Sequence, residues 1–199
     1  MSFLRTMPRA SLIDVFRASP EFARPLHEFA QELMRGPSPF TEGERELLAA
    51  YVSSLNRCAF CEASHTEVAV KYGYDRQLIQ QLALNLAEAD VTERLKPVFR
   101  YVRKLTLLPA QVVRVDVTAI YEAGWDDTAV SHAALVCAFF SFMNRWVEGL
   151  GVQSDPTVVR KAGEMLHKKG YEAVIELLDH ARIRSLPVAA TGEAKPVSS

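Results

Sequence analysis

The sequence predicts an all-α protein, and three observations support that class. Apolar residues recur at helical spacing along most of the chain, as in the stripe within residues 47–55. Most of these segments begin with a capping residue and end at glycine or proline. No convincing series of alternating strands is present. The β-branched segment 112–117 could be misread as a strand, but we predict a short helix there from Asp116 into Tyr121.

Start signals place the predicted helices in order. Ser11 with Asp14 forms a capping pair, and Thr41 with Glu44 forms a stronger capping box. Asp155 followed by proline is a well-formed helix start. The predicted helices run from Ser11 to Pro20, from Pro20 to Gly36, from Thr41 to Leu55, from about Cys58 through Tyr72, from Asp75 through Leu86, through Leu95 to Leu105, from Asp126 or Asp127 to about Val147, from Asp155, and from Tyr171 through Ile183.

Length and composition suit one globular unit. At 199 residues with 49% apolar residues, we expect a single helical domain over 1–186 and a disordered tail over 187–199. The net charge of −1 argues against nucleic acid or a membrane surface as the main partner. The first residues lack a secretory signal, and the longest apolar run is far shorter than the roughly 20 residues that span a bilayer. We therefore expect a cytoplasmic protein.

A weak internal repeat is visible. Tyr-Gly-Tyr-Asp at 72–75 and Ala-Gly-Trp-Asp at 123–126 each precede an apolar helix. The Asn-Arg pair at 56–57 likewise recurs at 144–145. These matches are compatible with two related helical halves.

The main chemical signal is the pair Cys58 and Cys61. In a reducing compartment, two closely spaced cysteines are more often catalytic or metal-binding than structural. On a helix they share one face, so a disulfide can close with little movement. If Cys58 lies at the helix start, the helix N-terminus favours the thiolate, which is the nucleophilic form.

Two further residues complete the pattern. His65 follows Cys61 by one helical turn and could take its proton directly or through one water. Glu46 lies on the preceding helix, and antiparallel packing would bring it toward the Cys58 end. A carboxylate within an apolar stripe tends to have a raised pKa, which suits a proton carrier.

Together these residues read Glu46-x11-Cys58-x2-Cys61-x3-His65. This pattern resembles the signature of the alkylhydroperoxidase D-like and carboxymuconolactone decarboxylase-like superfamily. The flanking residues at 36–39, 44–47 and 51–58 resemble its peroxidase-related branch. The resemblance is dense from about Pro8 to Gly73 and implies an alkylhydroperoxidase D-like helical fold.

The resemblance also implies a mechanism. Cys61 corresponds to the peroxidatic cysteine that attacks a hydroperoxide, and Cys58 to the resolving cysteine that closes the disulfide. Glu46 and His65 correspond to proton-relay residues. An external dithiol or thiol-protein reductant regenerates the pair. The scheme needs no metal, flavin or haem, and superfamily members are typically trimers or hexamers, so we expect a homo-oligomer.

One departure and several alternatives remain. Phe60 stands where some members carry a histidine, which makes the surroundings drier and puts the rate in doubt. A decarboxylase acting on a small organic acid is the first alternative, although such members generally lack the cysteine pair. An oxidant-sensing or zinc-binding helical protein is the second, and a fourth zinc ligand would have to come from Glu46, Cys137 or another chain. We interpret Cys137 as core, His132 as structural or partly exposed, and Asn144 as more often a helix-holding residue than a pocket residue.

Overall fold

The computed structural model describes residues 1–153 and 155–185, and for 180–185 it describes the backbone alone. In this part of the chain there are helices and no strands, which confirms the all-α class. The tail 187–199 lies outside the described residues. The helices are α1 (Leu12–Ala18), α2 (Pro20–Arg35), α3 (Glu42–Leu55), α4 (Ala59–Lys71), α5 (Leu78–Leu84), α6 (Lys96–Leu107), α7 (Arg114–Glu122), α8 (Asp127–Gly149), α9 (Pro156–Lys169) and α10 (Glu172–Ser185).

The capping signals explain where most helices begin. The predicted capping boxes at the starts of α1 and α3 are both formed. Asp126 caps α8 by accepting from the backbone N–H of Ala129, and Asp155 caps α9 in the same way. Each cap satisfies a backbone donor that the first helical turn leaves without a partner.

Two predicted starts are wrong by a few residues. α5 begins at Leu78 rather than Asp75, because the Asp75 carboxylate accepts from the N–H of Gln77 and forms a turn first. It also ends before Leu86. α7 begins at Arg114, since the Asp116 carboxylate reaches back to the N–H of Val113 and so occupies the third helical position.

The helical hairpin of α3 and α4 forms the centre of the fold. The side chains of Leu47, Leu48 and Tyr51 on α3 are fully buried, and α3 packs against α4, α6 and α8. A tight turn joins the two helices, and its Arg57 adopts a left-handed conformation with φ of 58°. Because the turn is so short, α4 runs antiparallel to α3 and the cysteines lie where it begins.

α9 packs closely along α4. A Cβ at Gly163 would lie only 2.6 Å from Cβ of Glu67, so glycine permits this approach. Farther along, the His167 ring packs edge-on against Tyr72 at 4.7 Å between centroids. The later contact on α9 pairs with the later residue on α4, so the two helices run parallel here. This pairing sets one wall of the cavity described below.

The most apolar helix, α8, is only partly covered. Phe140 is buried in the core, Phe139 is partly buried, and Phe142 is half exposed. Phe29 of α2 contacts Phe139 and is also largely exposed. The predicted homo-oligomer stays a prediction. No helix in the described ranges is long and apolar enough to cross a membrane.

The weak repeat has a local structural counterpart. Gly73 follows α4 and Gly124 follows α7, both with positive φ, of 97° and 83°. A left-handed residue after a helix is most easily supplied by glycine. The Asn-Arg pairs also meet, because Asn56 Nδ2 donates to Asn144 Oδ1 at 3.0 Å. The matches mark equivalent turns, and a repeat of whole halves stays a prediction.

Candidate active site

The four predicted site residues lie on the α3–α4 hairpin. Cys58 is the N-cap residue of α4, and Cys61 lies in its first turn. Both thiols are free and buried, with exposed fractions of 0% and 5%. His65 follows one turn later on the same helix. Glu46 lies on α3, on the side that faces α4, and is fully buried.

Glu46 and His65 form a buried hydrogen-bonded pair. His65 Nδ1 lies 2.7 Å from Glu46 Oε2, so the ring donates from Nδ1 when the carboxylate is ionised, and Nε2 is left for other partners. The expectation that Glu46 approaches the Cys58 end is wrong. In an antiparallel hairpin the first turns of α3 lie beside the second half of α4, away from the turn where Cys58 is found.

A third residue, Arg35, holds the other oxygen of this carboxylate. Arg35 Nη2 lies 2.7 Å from Glu46 Oε1, and both side chains are buried. The hydroxyl of Tyr171 also donates to Oε1 at 3.5 Å. Burial alone would raise the pKa of Glu46, but the hydrogen bonds and charges of His65 and Arg35 together lower it. The expected raised pKa is therefore wrong, and Glu46 orients and stabilises His65 as a carboxylate.

The two thiols differ in acidity. The hydrogen bond with Cys61, together with burial, raises the pKa of Cys58 well above its usual range. The same hydrogen bond from Cys58 outweighs burial and lowers the pKa of Cys61. The expectation that the helix start favours a thiolate at Cys58 is therefore wrong. Cys61 is therefore the more acidic of the two thiols, and it forms a thiolate more readily than Cys58.

Asn144 of α8 holds its helix against the α3–α4 hairpin, as predicted, and does not line the cavity described below. It is buried and joins α8 to the hairpin, since its Nδ2 donates to Ser53 Oγ at 3.0 Å while its Oδ1 accepts from Asn56. After the contributions of Cys58 and of burial, a hydrogen bond from Asn144 also lowers the pKa of Cys61. An amide nitrogen has two hydrogens, so it can serve Ser53 and the Cys61 sulfur together.

We expect Asn144→Leu to raise the pKa of Cys61, because leucine has similar bulk and no donor. The measurement is the rate of iodoacetamide alkylation of Cys61 as a function of pH, in a background where Cys137 is serine. Ser53→Ala is the matched control, since it removes the other partner of Asn144 and leaves the donor. An unchanged alkylation profile in Asn144→Leu would contradict a role for this amide.

Cys61 and His65 line a cavity of about 340 Å³. Its walls come from α1, α2, α4, α8, α9 and α10 and are mainly apolar, with Phe60, Phe140 and Met165 among them. Cys58 is not part of this lining. Apolar walls with a few convergent polar groups are typical of small-molecule sites.

The remaining cysteine and histidine candidates lie elsewhere. Cys137 is in the main core, with its sulfur 3.2 Å from Thr106 Oγ1, which confirms the interpretation as core. His132 is half buried and its Nε2 lies 2.8 Å from the carbonyl oxygen of Leu33, as expected for a structural residue. Neither Cys137 nor the ion-paired Glu46 is placed to complete a zinc site with the cysteine pair. In the described ranges there is no cluster of three or more histidine, cysteine or acidic side chains suited to a metal.

An all-α fold with this motif on its central hairpin resembles that of the alkylhydroperoxidase D-like and carboxymuconolactone decarboxylase-like superfamily. Residues 20–104, somewhat less than half of the chain, match the profile of the carboxymuconolactone decarboxylase family. This region contains the cysteine pair, His65 and Glu46. The resemblance recognised in the motif is thereby confirmed. No curated protein matches the sequence.

Two solved structures share the fold. An uncharacterized peroxidase-related protein from Silicibacter sp. TM1040 superposes with a TM-score of 0.67 at 24% identity, over 72% of this chain and 75% of that one. An alkylhydroperoxidase AhpD core protein from Ralstonia eutropha JMP134, also described as an uncharacterized peroxidase-related protein, gives 0.68 at 24% identity, over 75% and 78%. These likenesses confirm the alkylhydroperoxidase D-like helical fold.

Sequence reasoning missed three residues of the site. Arg35 ends α2 before Gly36, where a basic residue is common, so its position carries no signal of a site. Tyr171 stands at the start of the last predicted helix, which likewise gives no such signal. His27 of α2 also lines the cavity, and burial lowers its pKa although its hydrogen bond to the Ala23 carbonyl opposes this. No local pattern distinguishes these residues, since long-range packing brings them to the site.

Proposed function

We propose that the protein is a thiol-dependent peroxidase that reduces an organic hydroperoxide through the Cys58–Cys61 couple. The family match and the peroxidase-related fold suggest an enzyme of the alkylhydroperoxidase-like or carboxymuconolactone decarboxylase-like kind. The observation that favours the peroxidase is the arrangement on the cavity wall. Cys61 has a lowered pKa and lines the same cavity as His65. The Nδ1 atom of His65 is hydrogen-bonded to the buried Glu46 carboxylate.

In the first step His65 accepts the proton of Cys61 at Nε2. The described structure shows no hydrogen bond between the Cys61 sulfur and this ring, so one water or the substrate hydroxyl carries the proton. Glu46 stabilises the imidazolium that forms, because its carboxylate accepts from Nδ1. Arg35 keeps that carboxylate ionised.

In the second step the Cys61 thiolate attacks the terminal oxygen of the hydroperoxide. An S–O bond forms and the O–O bond breaks, and the electron pair leaves on the alkoxide. The imidazolium of His65 gives its proton to this alkoxide and releases an alcohol. Cys61 is then a sulfenic acid, oxidised by two electrons.

In the third step the sulfur of Cys58 attacks that of Cys61. The S–S bond forms, the S–O bond breaks, and the thiol proton leaves with the hydroxide as water. An external dithiol then reduces the disulfide by exchange, so that the net reaction consumes one hydroperoxide and one dithiol and yields an alcohol, water and an oxidised dithiol. The three-residue spacing on one helix start places both cysteines on the same side of α4, which favours closure with little movement.

The cavity favours an organic hydroperoxide over hydrogen peroxide. Its mainly apolar walls desolvate an alkyl or aryl group, at about 25 cal/mol per Å² of apolar surface buried. Phe60, which replaces the histidine of some relatives, contributes one of these walls. Its apolar ring adds contact area for the organic group of the substrate.

Stoichiometric cumene hydroperoxide should consume two thiols per chain and give a linked peptide containing Cys58 and Cys61. The measurements are thiol titration and peptide mass mapping after alkylation, with sustained turnover in the presence of dithiothreitol. A pair that stays reduced while the protein consumes a lactone acid would favour the decarboxylase alternative. Disulfide formation with no turnover in excess dithiol would favour an oxidant sensor, and one tightly bound zinc per chain would favour a metal site.

A further inference from the structure

One charged residue stands out on the cavity wall. Lys161 of α9 is the only residue with a formal charge among the described residues that line the cavity. Two histidines, His27 and His65, also line the cavity. Burial lowers the pKa of His27. A lysine can lay its aliphatic stem along apolar surface while its ammonium group stays near water, and Lys161 is solvent-exposed.

Lys161 makes no ion pair or side-chain hydrogen bond within the described part of the chain. Three carboxylates in the neighbouring elements already have partners. Glu46 is bound by Arg35 and His65, Glu164 lies 4.0 Å from Lys71, and Asp14 accepts from Ser11. The protein therefore presents a positive charge at an apolar cavity without supplying its counter-ion.

The packing of α9 on α4 locates this charge relative to the reactive residues. Gly163 lies against Glu67, and the two helices run parallel. Lys161 precedes Gly163 by two residues, just as His65 precedes Glu67. The Lys161 backbone is thus at about the level of His65, one turn beyond Cys61, and its side chain lies on the open side of the same cavity.

We propose that the cavity binds an amphipathic acid, and that Lys161 is the specificity-determining residue that pairs with its carboxylate. The apolar body of this ligand lies along Phe16, Phe140 and Met165. At about 30 Å³ per water-sized volume, 340 Å³ holds roughly ten non-hydrogen atoms, which is the size of a medium-chain fatty acid. Resting on the function proposed above, the substrate is an organic hydroperoxide that carries an acidic group.

Direct binding tests this preference without any peroxide chemistry. The probes are octanoate and octan-1-ol, and their dissociation constants are measured by calorimetry on the full chain. In Lys161→Met we expect octanoate to bind about three- to tenfold more weakly, as for a partly exposed ion pair at an apolar site, with octan-1-ol unchanged. Lys168→Met is the matched control, because it removes the same charge from α9 without altering the cavity, and it should affect neither probe.

A charge-conserving variant keeps the test decisive. Lys161→Arg should retain the wild-type preference for octanoate, and thermal melting of each variant identifies any loss of folding. Equal weakening of both probes in Lys161→Met, no weakening of octanoate, or no binding of octanoate to the wild-type protein would overturn the inference.

The catalytic consequence is tested separately. With a hydroperoxy fatty acid and its methyl ester, Lys161→Met should raise KM for the acid by about three- to tenfold and leave kcat and the ester unchanged. If neither compound is turned over but octanoate still depends on Lys161, the proposed peroxidase fails and the acid-binding inference stands. If both compounds are turned over and Lys161→Met changes KM equally for the acid and the ester, the peroxidase stands and this inference fails.

Discussion

Cys61→Ser should abolish hydroperoxide turnover, lowering kcat/KM by roughly a thousandfold or more, as expected when a nucleophile is removed. A serine hydroxyl is not ionised by a histidine–glutamate pair alone and is a poor nucleophile toward an O–O bond. The measurement is consumption of cumene hydroperoxide with dithiothreitol as reductant. Full activity in this variant would refute Cys61 as the attacking residue.

Two further cysteine variants make this result specific. Cys58→Ser should leave a sulfenic acid at Cys61 that a dimedone probe traps after one equivalent of hydroperoxide, because the resolving sulfur is gone. Cys137→Ser should retain turnover, since Cys137 packs against Thr106 in the core. If the dimedone adduct instead appeared at Cys58 in Cys61→Ser, the roles of the two cysteines would be reversed.

Arg35→Met should destabilise the protein by about 3–5 kcal/mol, because it leaves the Glu46 carboxylate buried without its arginine partner. The measurement is the free energy of unfolding from urea denaturation at pH 7. Arg24→Met is the matched control. Arg24 pairs with Glu28 and Asp179 at the surface, where side chains are 40% exposed or more, and its loss should cost about 1 kcal/mol or less.

The double variant Arg35→Met/Glu46→Gln separates charge from packing. Removing the buried charge along with its partner should recover part of the lost stability, giving a coupling energy in a double-mutant cycle. Additive losses would show that Arg35 acts by packing on Tyr72 and Tyr171, whose rings lie 5.9 and 5.4 Å from its guanidinium carbon.

The pH dependence of stability has a defined sign. The folded protein lowers the pKa of Glu46 below its usual value of 4.5, so below that value the unfolded chain binds more protons than the folded one. The contribution of Glu46 is thus present above pH 4.5 and is lost as the pH falls through the folded pKa. In Arg35→Met the pKa of Glu46 should rise toward its usual value. The free energy of unfolding should then fall less as the pH is lowered.

Much of the fold could be predicted because helix caps are local. Ser11, Thr41, Asp126 and Asp155 each act on a backbone N–H within three residues, so short sequence patterns find them. The errors arose where one carboxylate had two possible local roles. Asp75 closes a turn instead of capping a helix, and the choice depends on how α5 packs against α3.

The sequence predicts that the cysteine pair, His65 and Glu46 lie on one helical hairpin, and it does not predict the electrostatics of the site. Spacing along α4 fixes which side chains share a face, so the positions of Cys61 and His65 could be inferred. The ionisation of Glu46 could not, because Arg35 reaches it from another helix. Likewise, the ordering of the two thiol pKa values depends on which sulfur donates to the other and on Asn144, which lies 83 residues after Cys61 in the printed sequence.

The burial of Cys58 bears on how the proposed Cys58–Cys61 disulfide is reduced. Cys58 packs beneath the N-terminal segment, with Leu4, Met7, Val15 and Val147 in its apolar surroundings. In the disulfide form of the proposed mechanism, we expect an incoming thiol to reach only the Cys61 sulfur through the apolar cavity, because Cys61 lines that cavity and Cys58 does not. A small dithiol fits this route, whereas a folded redox protein is too broad unless the N-terminal segment swings aside. We therefore expect the choice of electron donor to depend on whether this N-terminal segment can open.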